Sequence, residues 1–426
     1  MEIKKKLRTM RTVTDSRWLM IVALSFIIYH LSFSTAGAQE PRAELTLQDQ
    51  SKVYYNIDDL KSIDVSGTTI TVVPKTGNAV VYDRKVTNIA FIPSGNSHQL
   101  SPNTQRLLSY LQSIYGVKTL SATMANVNWN TYEAQWVFKH TGRWPAMNCF
   151  DFIHHVWSSP GGWIDYSNSS VVENWHNQGG IVAAMWHWNV PANDGQNYAF
   201  YYGNDANKKN EQTTFDVRKI FEPNSSEYQR MVSDIDKIIS YLKPLQQKDI
   251  PVIWRPLHEA GGKWFWWGMD AEACKELWRV MYQRFQQAGL NNIIWAFTPA
   301  ASWGRPFSDG FLWYPGDEYV DIVGFDIYNV WSAQSIYTDY FHLLEQQCPG
   351  KLVGLTEFGN VAQLSQQWQA GAKWLFFMPW YDYGRTNNPN AAAFNQQDHS
   401  SANITWWKNA WAQDYVLSRD QVNYRR

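Results

Sequence analysis

The sequence predicts an α/β chain folded as a (β/α)8 TIM barrel with a short N-terminal β-containing extension. Two observations carry that prediction. Eight short apolar runs recur at 117–125, 144–152, 180–188, 251–257, 292–297, 320–328, 351–356 and 374–380, separated by helical stretches or long loops. Strands alternating with crossovers imply a parallel sheet covered on both faces, and eight such units in roughly 310 residues fit a closed barrel. The second observation weighs against the open doubly wound sheet. That fold usually carries a glycine-rich phosphate turn after its first strand. Here the first strand runs into Met124-Ala125-Asn126-Val127.

Along the chain, residues 1–18 carry Lys4, Lys5, Lys6, Arg8, Arg11 and Arg17. A mostly apolar run over 19–33 follows, then Ala36-Gly37-Ala38. Basic head, short apolar core and small-x-small site are the order of a secretory signal peptide. The run is short of the roughly 20 apolar residues of a membrane span. Residues 1–38 are therefore expected to be removed, giving a periplasmic or secreted product without stable membrane insertion. Residues 39–100 read as an extension packed on the barrel and too short to bury much core of its own, with β-rich runs at 67–73 and 79–82 about a Pro74-Lys75-Thr76-Gly77-Asn78 turn. The barrel domain is placed at 101–426. It opens on a helix over 103–115, with Leu107, Leu108, Leu111 and Ile114 on one face. Further helices are expected at 227–247, with Ile235, Ile238, Ile239 and Leu242 at helical spacing, and at 271–288.

Composition narrows the function. With 37 Lys+Arg against 38 Asp+Glu, the chain lacks the basic surface of a nucleic-acid binder. Its 24 Trp, 23 Tyr and 20 Phe exceed what a core ordinarily needs, so many of these rings are expected to line a cleft for flat ligands, sugars above all. Three cysteines, Cys149, Cys274 and Cys348, allow at most one disulfide and match no zinc pattern. Nothing in the chain implies a cofactor or a metal, and nothing requires more than a monomer.

In a barrel of this kind, reacting groups sit at the C-terminal ends of the strands. Strand four runs Trp254-Arg255-Pro256-Leu257-His258-Glu259 and strand seven Leu355-Thr356-Glu357-Phe358-Gly359, so each brings a carboxylate to the rim. The two are expected to face each other from opposite sides of the mouth. Alternation along strand four places Arg255 and Glu259 on one face, with Arg255 pointing into the upper barrel. A facing carboxyl pair is what glycoside hydrolysis uses: one carboxyl protonates the leaving oxygen, and the other attacks the anomeric carbon or activates water. Arg255 is expected to keep Glu357 ionised, and Trp264 and Trp266 to keep Glu259 protonated by desolvation. Strand three ends Trp186-His187-Trp188-Asn189, with His187 and Asn189 on one face. Strand six presents Asp326 and Tyr328 on one face, and strand eight ends in Trp380-Tyr381. His258-Glu259 lacks the second histidine of a zinc-protease motif, because position 262 is Gly262. The adjacent His154 and His155 are expected to be structural, as is Cys149.

At these residues the sequence resembles glycoside hydrolase family 26. Trp254 to Glu259 with Trp264-Phe265-Trp266-Trp267-Gly268 is similar to the family's acid/base motif, and Leu355 to Gly359 to its nucleophile motif. The likeness extends over about residues 100–415. It implies retaining β-1,4-mannanase chemistry, endo-acting or mannobiose-releasing, on β-mannan or manno-oligosaccharides, with Glu259 as acid/base and Glu357 as nucleophile. It further implies that His187 and Tyr328 contact the sugar or the nucleophile, that Trp264 and Trp380 form aromatic walls, and that His258 stands where related barrels often carry Asn. Arg255 and Asp326 complete the expected binding set. Tyr381 stands where some members have Arg, and the 39–100 extension lies outside the match. A β-glucanase or β-1,3-xylanase of the same family, or a non-catalytic glycan-binding barrel, are the competing readings. A decayed enzyme would tend to lose one of the two glutamates, and both are present.

Overall fold

The computed structural model describes residues 42–48, 52–56, 59–83, 85–92, 100–126, 129–158, 161–302, 305–306, 310–330 and 334–425. The expected signal peptide lies outside them. No helix among the described residues is long and apolar enough to cross a membrane. The chain divides into two compact units, Met1–Gln99 and Leu100–Arg426.

The first unit holds two three-stranded antiparallel sheets. One orders Lys52–Asn56, Arg42–Leu47 and Val86–Ile92, and the other Leu60–Ser66, Thr69–Pro74 and Val80–Asp83. The strand expected from residue 67 begins at Thr69, because Gly67 adopts φ 59° in the two-residue turn that joins the hairpin. Although short, this unit has a core of its own, in which Ala43, Leu45, Ile70 and Val72 are buried.

The second unit is the barrel. Its strands are β1 (Thr119–Met124), β2 (Met147–Asp151), β3 (Ile181–Met185), β4 (Val252–Arg255), β5 (Ile293–Phe297), β6 (Ile322–Val330), β7 (Leu352–Val361) and β8 (Phe376–Pro379). Each pairs in parallel with its neighbour, and β8 pairs with β1 to close the sheet. All eight fall within or across the expected runs. The short strand Val416–Leu417 adds to β1. The helix Pro102–Ile114 buries Leu107, Leu111 and Ile114, while Ser226–Gln247 and Ala271–Gln287 match the other expected helices.

Alternation sorts the strand residues into two cores. Ala183, Met185, Ile253, Ile294, Ala296 and Ile322 belong to the barrel interior. Their neighbours Val182, Ala184, Val252, Trp254, Ile293 and Trp295 pack beneath the helices. The outer layer takes much of the tryptophan. Trp136, Trp186, Trp188, Trp254, Trp266, Trp267, Trp278 and Trp295 are all fully buried there. Among the described residues, the aromatic excess is therefore largely core, contrary to the expectation that it lines a cleft.

Candidate active site

Arg255 follows Ile253 on the inward face of β4 and is the last residue of that strand. Its guanidinium lies at the top of the barrel, 3 % exposed. Nη1 donates to Asp326 Oδ2 at 3.1 Å and to Thr298 Oγ1 at 3.3 Å, and Nη2 donates to Glu357 Oε1. Asp326 has the inward parity of Ile322 on β6 and also accepts from Thr356 Oγ1 at 2.8 Å.

Glu357 reaches the same face by a break in register. Phe325 pairs with Leu355, but Asp326 pairs with Glu357, leaving Thr356 as an extra residue in β7. Such a bulge turns two consecutive side chains to one side. Here Thr356 and Glu357 both enter the Asp326–Arg255 cluster. Gly324 makes room for it, since a Cβ there would lie 2.3 Å from Thr356 Cγ2. β7 runs on to Val361, so Glu357 stands within the strand and not at its end. Tyr328 Oη donates to Glu357 Oε2 at 2.7 Å.

Glu259 arrives differently. β4 ends at Arg255, and strand alternation does not carry on to residue 259. Leu257 and Glu259 adopt φ 48° and 53°, left-handed conformations costing of order 1–3 kcal/mol each for non-glycine residues. The turn is held by Trp267 Nε1 donating to His258 O at 2.9 Å and by a bridge between Ala260 and Pro299. Glu259 stays partly exposed, and its Oε2 accepts from Trp264 Nε1 at 2.7 Å. Trp266 is not its neighbour: that ring is fully buried, and its Nε1 donates to Trp188 O at 2.8 Å. Nor do the two glutamates come from opposite sides of the barrel. β4 and β7 are three strands apart, with β5 and β6 between them. One oxygen each of Glu259, Asp326 and Glu357 lies within 4.8 Å of the others. The sequence spacing shows no ligand cluster, yet the fold assembles these three carboxyls. Arg255 already bridges two of them.

Burial and the charges of Asp326 and Glu357 push the Glu259 carboxyl well above its usual range, outweighing the Trp264 hydrogen bond and Arg255. Burial and Asp326 push Glu357 up to about 7, while Arg255 and the Tyr328 hydroxyl pull it back. Arg255 thus favours the ionised form of Glu357, as expected from the sequence, but does not outweigh burial and Asp326.

The remaining expected residues converge on this cluster. His187 Nε2 lies 3.2 Å from His258 Nε2, and the Trp380 ring packs edge-on to His187 at 5.7 Å. Tyr381 packs against Trp380 at 4.8 Å. Trp186 and Trp188 turn the other way and stack on each other at 3.9 Å. Asn189 donates to Ile153 O at 2.7 Å, away from the carboxyl pair. His155 is structural, accepting from Trp186 Nε1 and lying 3.3 Å from Asp234. Cys149, Cys274 and Cys348 are buried free thiols. Thr298 and Thr356, which join the Arg255–Asp326 cluster, and Asp151, whose Oδ2 lies 2.6 Å from His187 Nδ1, were missed in the sequence. Asp151 was findable, because it is a carboxylate at the C-terminal end of β2, where the reacting groups of a barrel sit.

Residues 96–409 match the model of glycosyl hydrolase family 26. The chain is 32% identical over 338 residues to a mannan endo-1,4-beta-mannosidase of Thermothelomyces thermophilus, covering 77% of this chain and 63% of that protein. It is also 32% identical over 291 residues to mannan endo-1,4-beta-mannosidase A of a Piromyces species, covering 66% of this chain and 44% of the relative. It therefore spans less than two thirds of the length of these relatives. Among solved structures, the GH26 domain of a Prevotella bryantii endo-beta-mannanase/endo-beta-glucanase superposes with a TM-score of 0.66 at 32% identity, covering 76% of this chain and 98% of that one. A beta-mannanase from a symbiotic protist of the termite Reticulitermes speratus, complexed with gluco-manno-oligosaccharide, gives 0.64 at 29% identity, covering 76% and 96%. Matched over most of its length, with Glu259 and Glu357 brought together at the barrel mouth, the chain belongs to glycosyl hydrolase family 26.

Proposed function

We propose that the protein is a retaining glycoside hydrolase that cleaves β-1,4-mannosidic linkages in mannan, galactomannan or glucomannan, exported after removal of residues 1–38. The observation that carries the mechanism is the closeness of Glu259 and Glu357, with oxygens within 4.8 Å of each other. An inverting pair stands roughly 6.5–9.5 Å apart to admit a water, and a retaining pair roughly 5–5.5 Å. The substrate reading rests on the mannan endo-1,4-beta-mannosidases among the relatives.

Glu357, ionised, attacks the anomeric carbon while Glu259 gives its proton to the departing oxygen, and a covalent mannosyl ester forms on Glu357. Glu259, now a base, takes a proton from water, which displaces the ester and restores both groups. Arg255 and Tyr328 hold Glu357 by one oxygen each, which fixes its carboxylate plane. Trp264 orients Glu259, and Trp380 with His187 walls the sugar site. The test is a product time course on linear mannan, galactomannan, mixed-linkage glucan and β-1,3-xylan, for wild type and Glu357→Ala. Mannan cut to a ladder by wild type alone supports the reading. Cleavage of a different glycan overturns the substrate, and silence on all four overturns the activity.

A further inference from the structure

Asp151, at the C-terminal end of β2, is 3 % exposed and takes no part in the mechanism above. Its Oδ1 accepts the backbone N–H of His187 at 3.1 Å, and its Oδ2 lies 2.6 Å from His187 Nδ1. His187 Nε2 in turn lies 3.2 Å from His258 Nε2, with the rings 4.4 Å apart at 74°. His258 is 1 % exposed, and its Nδ1 has no hydrogen-bond partner among the described residues.

This chain has a direction. A carboxylate only accepts, so the proton on His187 sits at Nδ1. With its one proton at Nδ1, His187 keeps a lone pair on Nε2; a second proton there would make His258 Nε2 the acceptor and strand an N–H at the buried Nδ1 of His258. His258 Nε2–H then donates to the His187 lone pair, and the unpartnered Nδ1 of His258 is a lone pair, not a stranded N–H. Burial above all holds His258 well below the usual histidine range, in keeping with a neutral ring.

We propose that Asp151 is a positioning residue that sets the polarity of the Asp151–His187–His258 chain and thereby fixes both rings beside the carboxyl pair. The inference rests on the reading of Glu259 and Glu357 as that pair. His258 immediately precedes Glu259, and its carbonyl is already pinned by Trp267. Anchoring its ring through His187 holds the peptide ahead of Glu259 at both ends. His187 also carries the edge contact to Trp380. One carboxylate on β2 thus governs groups on the rims of β3, β4 and β8.

Asp151→Asn is a nearly isosteric test. The backbone N–H of His187 must still face an oxygen, so the new amide NH2 faces His187 Nδ1 and demands a lone pair there. The proton of His187 moves to Nε2, and that of His258 to Nδ1. Nitrogen NMR of [15N]histidine-labelled protein, assigned with His187→Gln and His258→Gln, reads this directly. Wild type should show His187 protonated at Nδ1 and His258 at Nε2, and Asp151→Asn should reverse both. The variant's kcat on manno-oligosaccharides should fall roughly 10- to 100-fold, the scale of groups that orient a reacting residue, with a smaller change in KM. Wild type with His187 protonated at Nε2 or at both nitrogens overturns the proposal, even where the variant fails to fold. So does reversed polarity with unchanged kcat, or a loss of kcat with the tautomers unmoved. Wild type inactive on every glycan would overturn the proposed function instead, while the tautomers would still decide the polarity.

Discussion

Asp326 and Glu357 are paired across the β6–β7 ladder and divide the two arms of one guanidinium, Arg255. The sharing sets the charge state of the site. Arg255 stabilises both carboxylates, but Asp326 repels charge on Glu357 and Glu259.

Asp326→Asn therefore moves the whole pH profile toward acid. Turnover requires Glu357 ionised and Glu259 protonated, so the rate rises with pH through the Glu357 pKa and falls through that of Glu259. Removing Asp326 takes away the second-largest cause raising each, and both limbs shift to lower pH. A kcat/KM profile shifted toward alkali would contradict this.

Tyr328→Phe deletes a hydrogen bond to a charged acceptor, which is worth roughly 1.5–3 kcal/mol. It should slow turnover by about 10- to 100-fold and move the acid limb upward, since the hydroxyl favours ionised Glu357. Steady-state kinetics between pH 4 and 9 would check both effects.

Glu259→Gln should stabilise the fold near neutral pH. The carboxyl has a raised pKa in the folded state, so its contribution is most favourable below its unfolded value and declines as pH rises through the folded one. The variant's melting temperature should exceed wild type at pH 8, with the gap closing toward pH 4. A gap that widened toward acid would mean Glu259 is stabilised as an anion.

Gly324→Ala should lower stability by about 1–3 kcal/mol, the usual cost of overpacking, because its methyl would overlap Thr356. It should also cut kcat by displacing the β7 bulge that aims Glu357. Denaturant melts and kinetics on one preparation would measure the two together, and a melt equal to wild type would contradict the packing account.

The barrel and the inward aim of Arg255 were legible in the sequence because period-two alternation is a local property that closure preserves. Two features were not. Glu259 owes its place to left-handed backbone after the strand has ended, and Glu357 to a bulge. Alternation presumes an unbroken strand and sees neither. The tryptophan excess misled for another reason: composition counts rings but does not tell a helix–sheet layer from a cleft, and Trp254 and Trp264, ten residues apart, end in different places. Asp151 and His187 meet only because β2 and β3 are neighbours, a pairing that the strand order implies but the motif search did not use.

The central claim is that Glu259 and Glu357 act as a retaining pair on a β-mannoside. Proton NMR of the first minutes of manno-oligosaccharide cleavage tests it most directly. The account predicts that the newly released reducing end appears as the β-anomer, with the α-anomer growing in only by mutarotation. An α-anomer formed first would mean inversion and would remove the nucleophile role from Glu357.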